Sequence, residues 1–155
     1  MSAGRDRSNT RSQSHYRRPR IRVPESTYFV TWRLHRSQPE LSPIERDSVV
    51  TAMRHFDDVR YKLLAFVVMN DHVHAILEPT NNSTLSAIMH SWKSFTASRL
   101  QREQGRRGPV WQHGYYDHIV RDDEGLSNRI DYILGNPQKR WPDVEDYPWV
   151  WSSFD

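Results

Sequence analysis

The sequence predicts an α+β fold in which one antiparallel sheet carries helices on one face. Four segments have the composition of strands, at residues 27–34, 61–69, 72–78 and 115–120. Two segments with apolar residues at helical spacing, 42–56 and 83–101, separate them. The order β-α-β-β-α-β is that of the ferredoxin-like arrangement, which leaves the second face of the sheet free for function.

The first strand and helix have clear local signals. "TYFVTWRL" (27–34) alternates large apolar and polar residues and is rich in strand-forming types. The helix that follows has Ser42 at the N-cap, Pro43 at its first position and Glu45 three residues after the cap. This is the capping-box pattern, with proline where its missing N–H costs least.

The second and third strands form a predicted hairpin. "YKLLAFVVM" (61–69) is mostly apolar, and Asn70-Asp71 supplies turn residues before "HVHAILE" (72–78). The loop is too short for a crossover, so the two strands are expected to pair antiparallel.

The remaining elements complete the fold. The helix at 83–101 is predicted to start behind a Ser83 cap, and a third helix is predicted at 122–136, with acids in its first turn and Pro137 ending it. Residues 141–155 form an aromatic C-terminal extension that is expected to pack on the domain.

Composition limits the classes of protein and of chemistry. With 155 residues the chain is long enough for one ordinary domain, assigned here to residues 25–140. It has no apolar run long enough to cross a bilayer and no secretory leader, so we expect a soluble, unexported protein with no membrane partner. It contains no cysteine, which excludes disulfides, thiolate metal sites and a cysteine nucleophile.

The charge is concentrated at the N-terminus. Residues 1–22 hold seven arginines and one acid, a formal charge of +6, and since the whole chain carries +3 the remainder carries −3. Residues 1–24 are therefore predicted to be a disordered basic arm. Such arms commonly bind nucleic acid, and a solvated tail or a targeting leader is the alternative.

Two histidines are placed to share one face of a strand. His72 and His74 are two residues apart, so their side chains point to the same face about 6.5 to 7 Å apart, while Val73 points to the helix-covered core. They can converge on one ion. The pair alone is weak evidence, and surface histidines without a special role are the alternative.

The last helix offers a third ligand and a reactive group. Tyr132 and Asn136 are four residues apart and lie on the same helix face. An amide oxygen can complete a metal site, and a tyrosine can attack phosphorus as a nucleophile. A half-buried aromatic residue and a helix cap before Pro137 explain the same pair without chemistry.

The motifs together resemble a known family. "NDHVHAI", "SWKSFTA", "VWQHGYYDHIVRDDE" and "IDYILGNPQKRW" are similar in order and spacing to the single-tyrosine HUH transposases, specifically the REP-associated tyrosine transposases. HUH stands for His, hydrophobic residue, His, which His72, Val73 and His74 match. The resemblance runs from about Tyr28 to the C-terminus and leaves out the basic arm.

The resemblance implies a chemistry and a partner. It implies that His72, His74 and Asn136 hold Mg²⁺ or Mn²⁺ and that Tyr132 attacks single-stranded DNA beside hairpin or palindromic elements, leaving a 5′-phosphotyrosine. The protein would then be an endonuclease and strand transferase in the bacterial cytoplasm, associated with the nucleoid through DNA. A monomer is favoured and a homodimer is possible.

Two other functions are compatible with the sequence. A catalytically inactive, domesticated nucleic-acid-binding protein could keep the same fold, although no aromatic pattern of the RNA-recognition type appears on a strand. A metal hydrolase without a covalent intermediate would use the same metal ligands.

A basic segment and nearby aromatic residues are predicted to contact nucleic acid. Basic side chains can follow the phosphate backbone, and aromatic rings can stack on unpaired bases. The predicted contacts are Lys93, Arg99, Arg106, Arg107, Trp111 and Tyr116. For the basic residues a solvated helix face is the alternative, and for the aromatic residues it is burial in the core.

Overall fold

A computed structural model describes residues 26–154, and the predicted basic arm at 1–24 lies outside them. None of the helices in this range is long and apolar enough to span a membrane. The elements are β1 (Thr27–Arg33), α1 (Pro43–His55), β2 (Tyr61–Val68), β3 (His72–Pro79), α2 (Leu85–Gln104), β4 (Tyr116–Val120), α3 (Asp123–Arg140) and β5 (Val150–Ser152).

The sheet confirms the predicted fold class. Its strands are antiparallel and lie in the order β4-β1-β3-β2-β5, so the first four give the ferredoxin-like arrangement. β2 and β3 form the expected hairpin, in which Val68 pairs with Val73. The additional strand β5, within the C-terminal extension, pairs with residues 65–67 of β2.

Helices α1 and α2 cover one face of the sheet. Met53 of α1 and Met89 and Trp92 of α2 are buried against the inward side chains of the strands, which include Trp32 and Val73. The Trp92 Nε1 donates to the Tyr61 hydroxyl, and that hydroxyl donates to the Met53 carbonyl. The Trp92 indole nitrogen and the Tyr61 hydroxyl are thus paired inside the core, whereas the buried Nε1 of Trp32 has no hydrogen-bond partner.

Helix α3 packs on the opposite face. Ile130 and Ile133 of α3 are buried against Phe29, Val67 and Ile76, which alternate along the strands with the residues of the first core. The face predicted to be free is therefore only partly open, because α3 occupies part of it. This packing places the residues of α3 directly beside the strand side chains of that face.

Two predicted helix ends were wrong. The N-cap of α2 is Thr84, not Ser83, because the Thr84 hydroxyl is the one that accepts from the Ala87 N–H, at 3.1 Å. Helix α3 does not end at Pro137 but continues to Arg140. Proline inside a helix removes one hydrogen bond and costs about 3 kcal/mol. Two features offset part of this cost. Pro137 is buried, and the positive charges of Lys139 and Arg140 in the last turn interact favourably with the negative end of the helix dipole.

A buried ion pair joins the start of α1 to the loop after α2. The Arg106 guanidinium donates to both Glu45 carboxylate oxygens, at 2.6 and 2.7 Å, and the side chains of both residues are almost fully buried. Arg106 also donates to the carbonyls of Pro39 and Glu40. Burial acts to raise the pKa of Glu45, but the hydrogen bonds and charge of Arg106 and the bonds from Ser42 outweigh it and hold that pKa below its usual value.

Replacing Arg106 by alanine is expected to destabilise the protein by about 3–5 kcal/mol, because it leaves the buried Glu45 carboxylate without its partner. Urea unfolding followed by circular dichroism measures the change. The matched control is Arg102→Ala, an exposed arginine of α2, which should change the free energy of unfolding by no more than about 0.5 kcal/mol. Equal effects of the two substitutions would contradict the structural role of Arg106.

Candidate active site

The histidines of β3 lie on the face that α3 partly covers. In the antiparallel register His74 pairs with Thr31 and His72 with Arg33, whereas Val73 belongs to the core under α1 and α2. The centroids of the two imidazole rings are 4.7 Å apart. The two side chains therefore adjoin each other, as the alternation along a strand predicts.

Each histidine uses its Nδ1 atom for a local hydrogen bond. The Nδ1 of His72 is 2.7 Å from a carboxylate oxygen of Asp71, and the Nδ1 of His74 is 2.7 Å from the Thr31 hydroxyl. The Nε2 of His74 is buried and has no hydrogen-bond partner. A histidine that ligates a metal typically engages its other ring nitrogen in this way, which fixes both tautomer and orientation.

His74 is a neutral imidazole near pH 7. Its pKa is lowered to about 3, first by burial and then by the positive charges of His72, Arg33 and Arg129. A neutral imidazole keeps a lone pair on its unprotonated nitrogen, which is the state required of a metal ligand.

Tyr132 lies beside this histidine pair in the same chain. Its ring centroid is 5.3 Å from that of His74 and 6.1 Å from that of Phe29. The side chain is 40% exposed, so a substrate can reach it. The Lys139 ammonium lies 5.0 Å from the centroid of the Tyr132 ring, a position that follows from the continuation of α3 beyond Pro137.

Asn136 is one turn further along α3 and is buried. Its side-chain nitrogen donates to the Tyr132 carbonyl at 3.5 Å, so the amide oxygen is the atom that could serve a cation. Within residues 26–154 no group of three or more His, Cys, Asp or Glu side chains is placed to hold a metal. A site here would need the Asn136 amide in addition to the two histidines.

An open cleft of about 600 Å³ adjoins Tyr132. Sequence reasoning missed two basic residues that line it, Arg33 and Arg129. Their positions were detectable: Arg33 has the same strand parity as Thr31, and Arg129 precedes Tyr132 by three residues on one helix face. The described residues that line the cleft are Phe29, Thr31, Trp32, Arg33, His74, Gln112, His113, Gly114, Tyr115, Tyr116, Arg129 and Tyr132.

Two of the predicted nucleic-acid contacts do not fit the structure, and we correct both. The guanidinium of Arg106 is buried in its ion pair with Glu45 and is not available to a phosphate. Trp111 is buried against Trp32, with its Nε1 donating to the Thr96 hydroxyl at 2.8 Å. Both side chains stabilise the fold rather than present a binding surface.

The other four predicted contacts have different surroundings. The Lys93 ammonium donates to the carbonyls of Gln112 and Gly114 and so holds the loop at the cleft wall, and burial lowers its pKa. Arg99 pairs with Glu103 at 3.0 Å. Arg107 is exposed, and Tyr116 is 55% exposed and lines the cleft. Tyr116 is thus the predicted contact that lines the same cleft as Tyr132.

Comparison with known proteins gives a consistent set of matches. Residues 26–136 match the model of a family described as transposase IS200 like. An Escherichia coli REP-associated tyrosine transposase is 26% identical over 146 residues, which cover 91% of this chain and 82% of that protein. A Haemophilus influenzae protein with the provisional name REP-associated tyrosine transposase is 27% identical over 104 residues, or 61% of this chain. That match covers 59% of the length of the H. influenzae protein. The match to a second H. influenzae protein covers 52% of that protein's length.

Solved structures share the fold. The structure of a REP-associated tyrosine transposase bound to a REP hairpin superposes with a TM-score of 0.67 at 25% identity, and the match covers 89% of this chain and 82% of that one. A crystal structure from Deinococcus radiodurans has a TM-score of 0.53 at 18% identity, covers 84% and 97% of the two chains, and supports the fold alone.

Truncation of Trp111 should destabilise the protein far more than truncation of Tyr116. Trp111→Ala removes a buried ring and is expected to cost about 3–5 kcal/mol of stability. Tyr116→Ala removes an exposed ring and should change stability by about 0.5 kcal/mol or less. Thermal and urea unfolding of both variants measure the difference, and a large loss in Tyr116→Ala would show that this ring is not free to bind a ligand.

Proposed function

Because the chain belongs to the family of IS200-like transposases, we propose that it is a metal-dependent endonuclease and strand transferase that cuts single-stranded DNA through Tyr132. The proposed cut lies beside a hairpin or palindromic element. The proposal covers the described domain, residues 26–154, which contains all the side chains that it uses.

The observation that carries the proposal is the position of Tyr132. A partly exposed tyrosine lies next to a histidine whose Nε2 is buried without a partner, and a second histidine adjoins the first. His74 and Tyr132 line the same cleft, and His72 adjoins His74 behind that lining. A phosphoryl-transfer site requires a nucleophile and an electrophilic stabiliser side by side.

His72, His74 and Asn136 are the proposed ligands of a divalent cation. The donor set fits such an ion, because it contains a neutral imidazole with a free Nε2 and a second imidazole oriented by Asp71. We propose that the ion is Mn²⁺ or Mg²⁺. Because imidazole ligands favour Mn²⁺ over Mg²⁺, the site should bind Mn²⁺ with the higher affinity. When bound, the cation would act as a Lewis acid on the scissile phosphate.

Tyr132 is the proposed nucleophile. Its hydroxyl oxygen forms a bond to phosphorus as the bond from phosphorus to the 3′ oxygen breaks. The phenolic proton is lost to solvent or a base, and the departing 3′ oxygen takes up a proton from solvent. The products are a 5′-phosphotyrosine and a strand with a free 3′-hydroxyl. Because the covalent bond conserves the energy of the phosphodiester, attack by another 3′-hydroxyl rejoins DNA without ATP.

The proposed partner is hairpin DNA with unpaired flanks. One structural relative is a REP-associated tyrosine transposase bound to a REP hairpin, and its likeness covers 89% of this chain. The cleft supports this choice because Tyr116 offers an exposed ring for base stacking in the cleft that Tyr132 also lines. We propose that the protein acts as a monomer on chromosomal DNA in the bacterial cytoplasm, since one chain contains both the histidines and the tyrosine.

Incubation with labelled hairpin-flanked single-stranded DNA and Mn²⁺ should give a protein–DNA adduct that survives denaturation. Tyr132→Phe should abolish the adduct because the nucleophilic oxygen is gone. Denaturing gel electrophoresis measures it. Tyr116→Phe is the matched control, since it removes another hydroxyl from the same cleft and should leave adduct formation intact.

The outcomes separate the competing functions. Cleavage without an adduct would indicate a metal hydrolase, and tight DNA binding without cleavage would indicate an inactive binding protein. An adduct that persists in Tyr132→Phe would place the nucleophile elsewhere.

Thr31→Val should weaken Mn²⁺ binding by about 10- to 100-fold, because it removes the hydroxyl that orients His74 while nearly preserving side-chain volume. Titration of free Mn²⁺ by electron paramagnetic resonance measures the affinity without requiring turnover. His74→Ala should abolish the same binding, and Thr51→Val, on the exposed face of α1, is the matched control. Unchanged affinity in Thr31→Val would refute the orienting role.

A further inference from the structure

Arg129 lines the cleft and lies over an aromatic ring. Its guanidinium carbon lies 4.4 Å from the centroid of the Phe29 ring, in the geometry of a cation–π contact. The same Phe29 ring stacks on His74 and meets Tyr132 edge to face. Phe29 therefore fixes Arg129 relative to both the histidine and the tyrosine.

Arg33 also lines the same cleft. It pairs with His72 across β1 and β3, so its side chain leaves the sheet on the face that carries the histidines. It is exposed, and it lines the cleft together with Arg129. The two guanidinium groups approach the cleft from different elements, one from a strand and one from α3.

Neither arginine is neutralised within the described part of the chain. Among residues 26–154 neither guanidinium makes an ion pair, in contrast to Arg99 and Arg106. The described residues that line the cleft include no carboxylate. Two unpaired cations in a concave site without an acid create a positive potential that attracts an anion.

We propose that Arg129 and Arg33 form a phosphate-binding site, which holds a backbone phosphate of single-stranded DNA next to Tyr132. This inference rests on the proposed function and goes further, because it assigns the binding of the phosphate to two residues outside the histidine, tyrosine and asparagine set. Arg129 is the principal contact, since the ring beneath it reduces the entropy lost when the guanidinium engages an oxygen.

The chemistry of the phosphate explains why arginine suits this position. A phosphodiester carries one negative charge over two non-bridging oxygens, and a guanidinium can donate to both in one plane. That charge persists when the phosphate is transferred to Tyr132, so the same contact serves the strand before and after attack. Lysine keeps the charge but loses the paired donors.

The test uses a hairpin oligonucleotide with unpaired flanks in which single phosphates are replaced, one at a time, by neutral methylphosphonates. Binding is measured by fluorescence anisotropy in EDTA, so neither metal nor cleavage enters. We expect one linkage at which neutralisation weakens wild-type binding about tenfold, the loss typical of a charge-assisted contact. At that linkage Arg129→Gln should show little further loss, because its contact is already gone.

Matched variants distinguish a phosphate contact from a general charge effect. Arg60→Gln removes an arginine that also lies over an aromatic ring, with its guanidinium carbon 4.0 Å from the centroid of Phe56. Arg60 precedes β2 at the end of the strand that is distant from the histidines. It should keep the wild-type sensitivity at that linkage. Arg33→Gln should reduce the sensitivity, and Arg129→Lys should retain part of it, with thermal unfolding showing that each variant is folded.

Two results overturn the inference. In one, methylphosphonate replacement weakens binding of Arg129→Gln and Arg33→Gln as much as binding of the wild type at every linkage. In the other, replacement at no single linkage weakens wild-type binding. These results are separable from failure of the proposed function. An adduct with unchanged sensitivity refutes the phosphate site alone, whereas position-specific sensitivity without an adduct supports the phosphate site and refutes cleavage. If the wild-type protein does not bind the unmodified oligonucleotide, both the phosphate site and the proposed function are refuted.

Discussion

The antiparallel register between β1 and β3 is the constraint on which the rest of the site depends. Val73 is buried under α1 and α2, and the alternation of a strand then sends its two neighbours to the other face. The same register brings the Thr31 hydroxyl to His74 and Arg33 next to His72. A slip of one residue would bury both imidazoles in the apolar core and place Val73 at the cleft.

Helix α3 carries both core residues and the proposed nucleophile. Its apolar residues Ile130 and Ile133 close the second core, and Tyr132, between them in sequence, lies at the edge of that core against Phe29 and His74. The position of Tyr132 is thereby fixed by packing rather than by a mobile loop, which limits the conformational entropy that substrate binding must overcome.

Local patterns predicted most of the fold, and the errors have identifiable causes. Strand alternation, the capping box of α1 and the Asn70-Asp71 turn are set by neighbours in sequence, so they could be read from it. The continuation of α3 beyond Pro137 accompanies burial of Asn136 and Pro137, which depends on the tertiary fold. The partners of Arg106 and Trp111 are distant in sequence, and only the folded chain shows that these residues are internal. Their charge and aromatic character alone suggested a surface role.

The presence of Tyr132 and both histidines in one chain has a consequence for stoichiometry. With a single nucleophile, a chain that uses the proposed chemistry can hold only one DNA end covalently at a time. Two cuts by one molecule must then be sequential, with the first end rejoined before the second is attacked. Simultaneous capture of both ends of an element would require two molecules. The order of events on DNA would thus depend on protein concentration as well as on sequence.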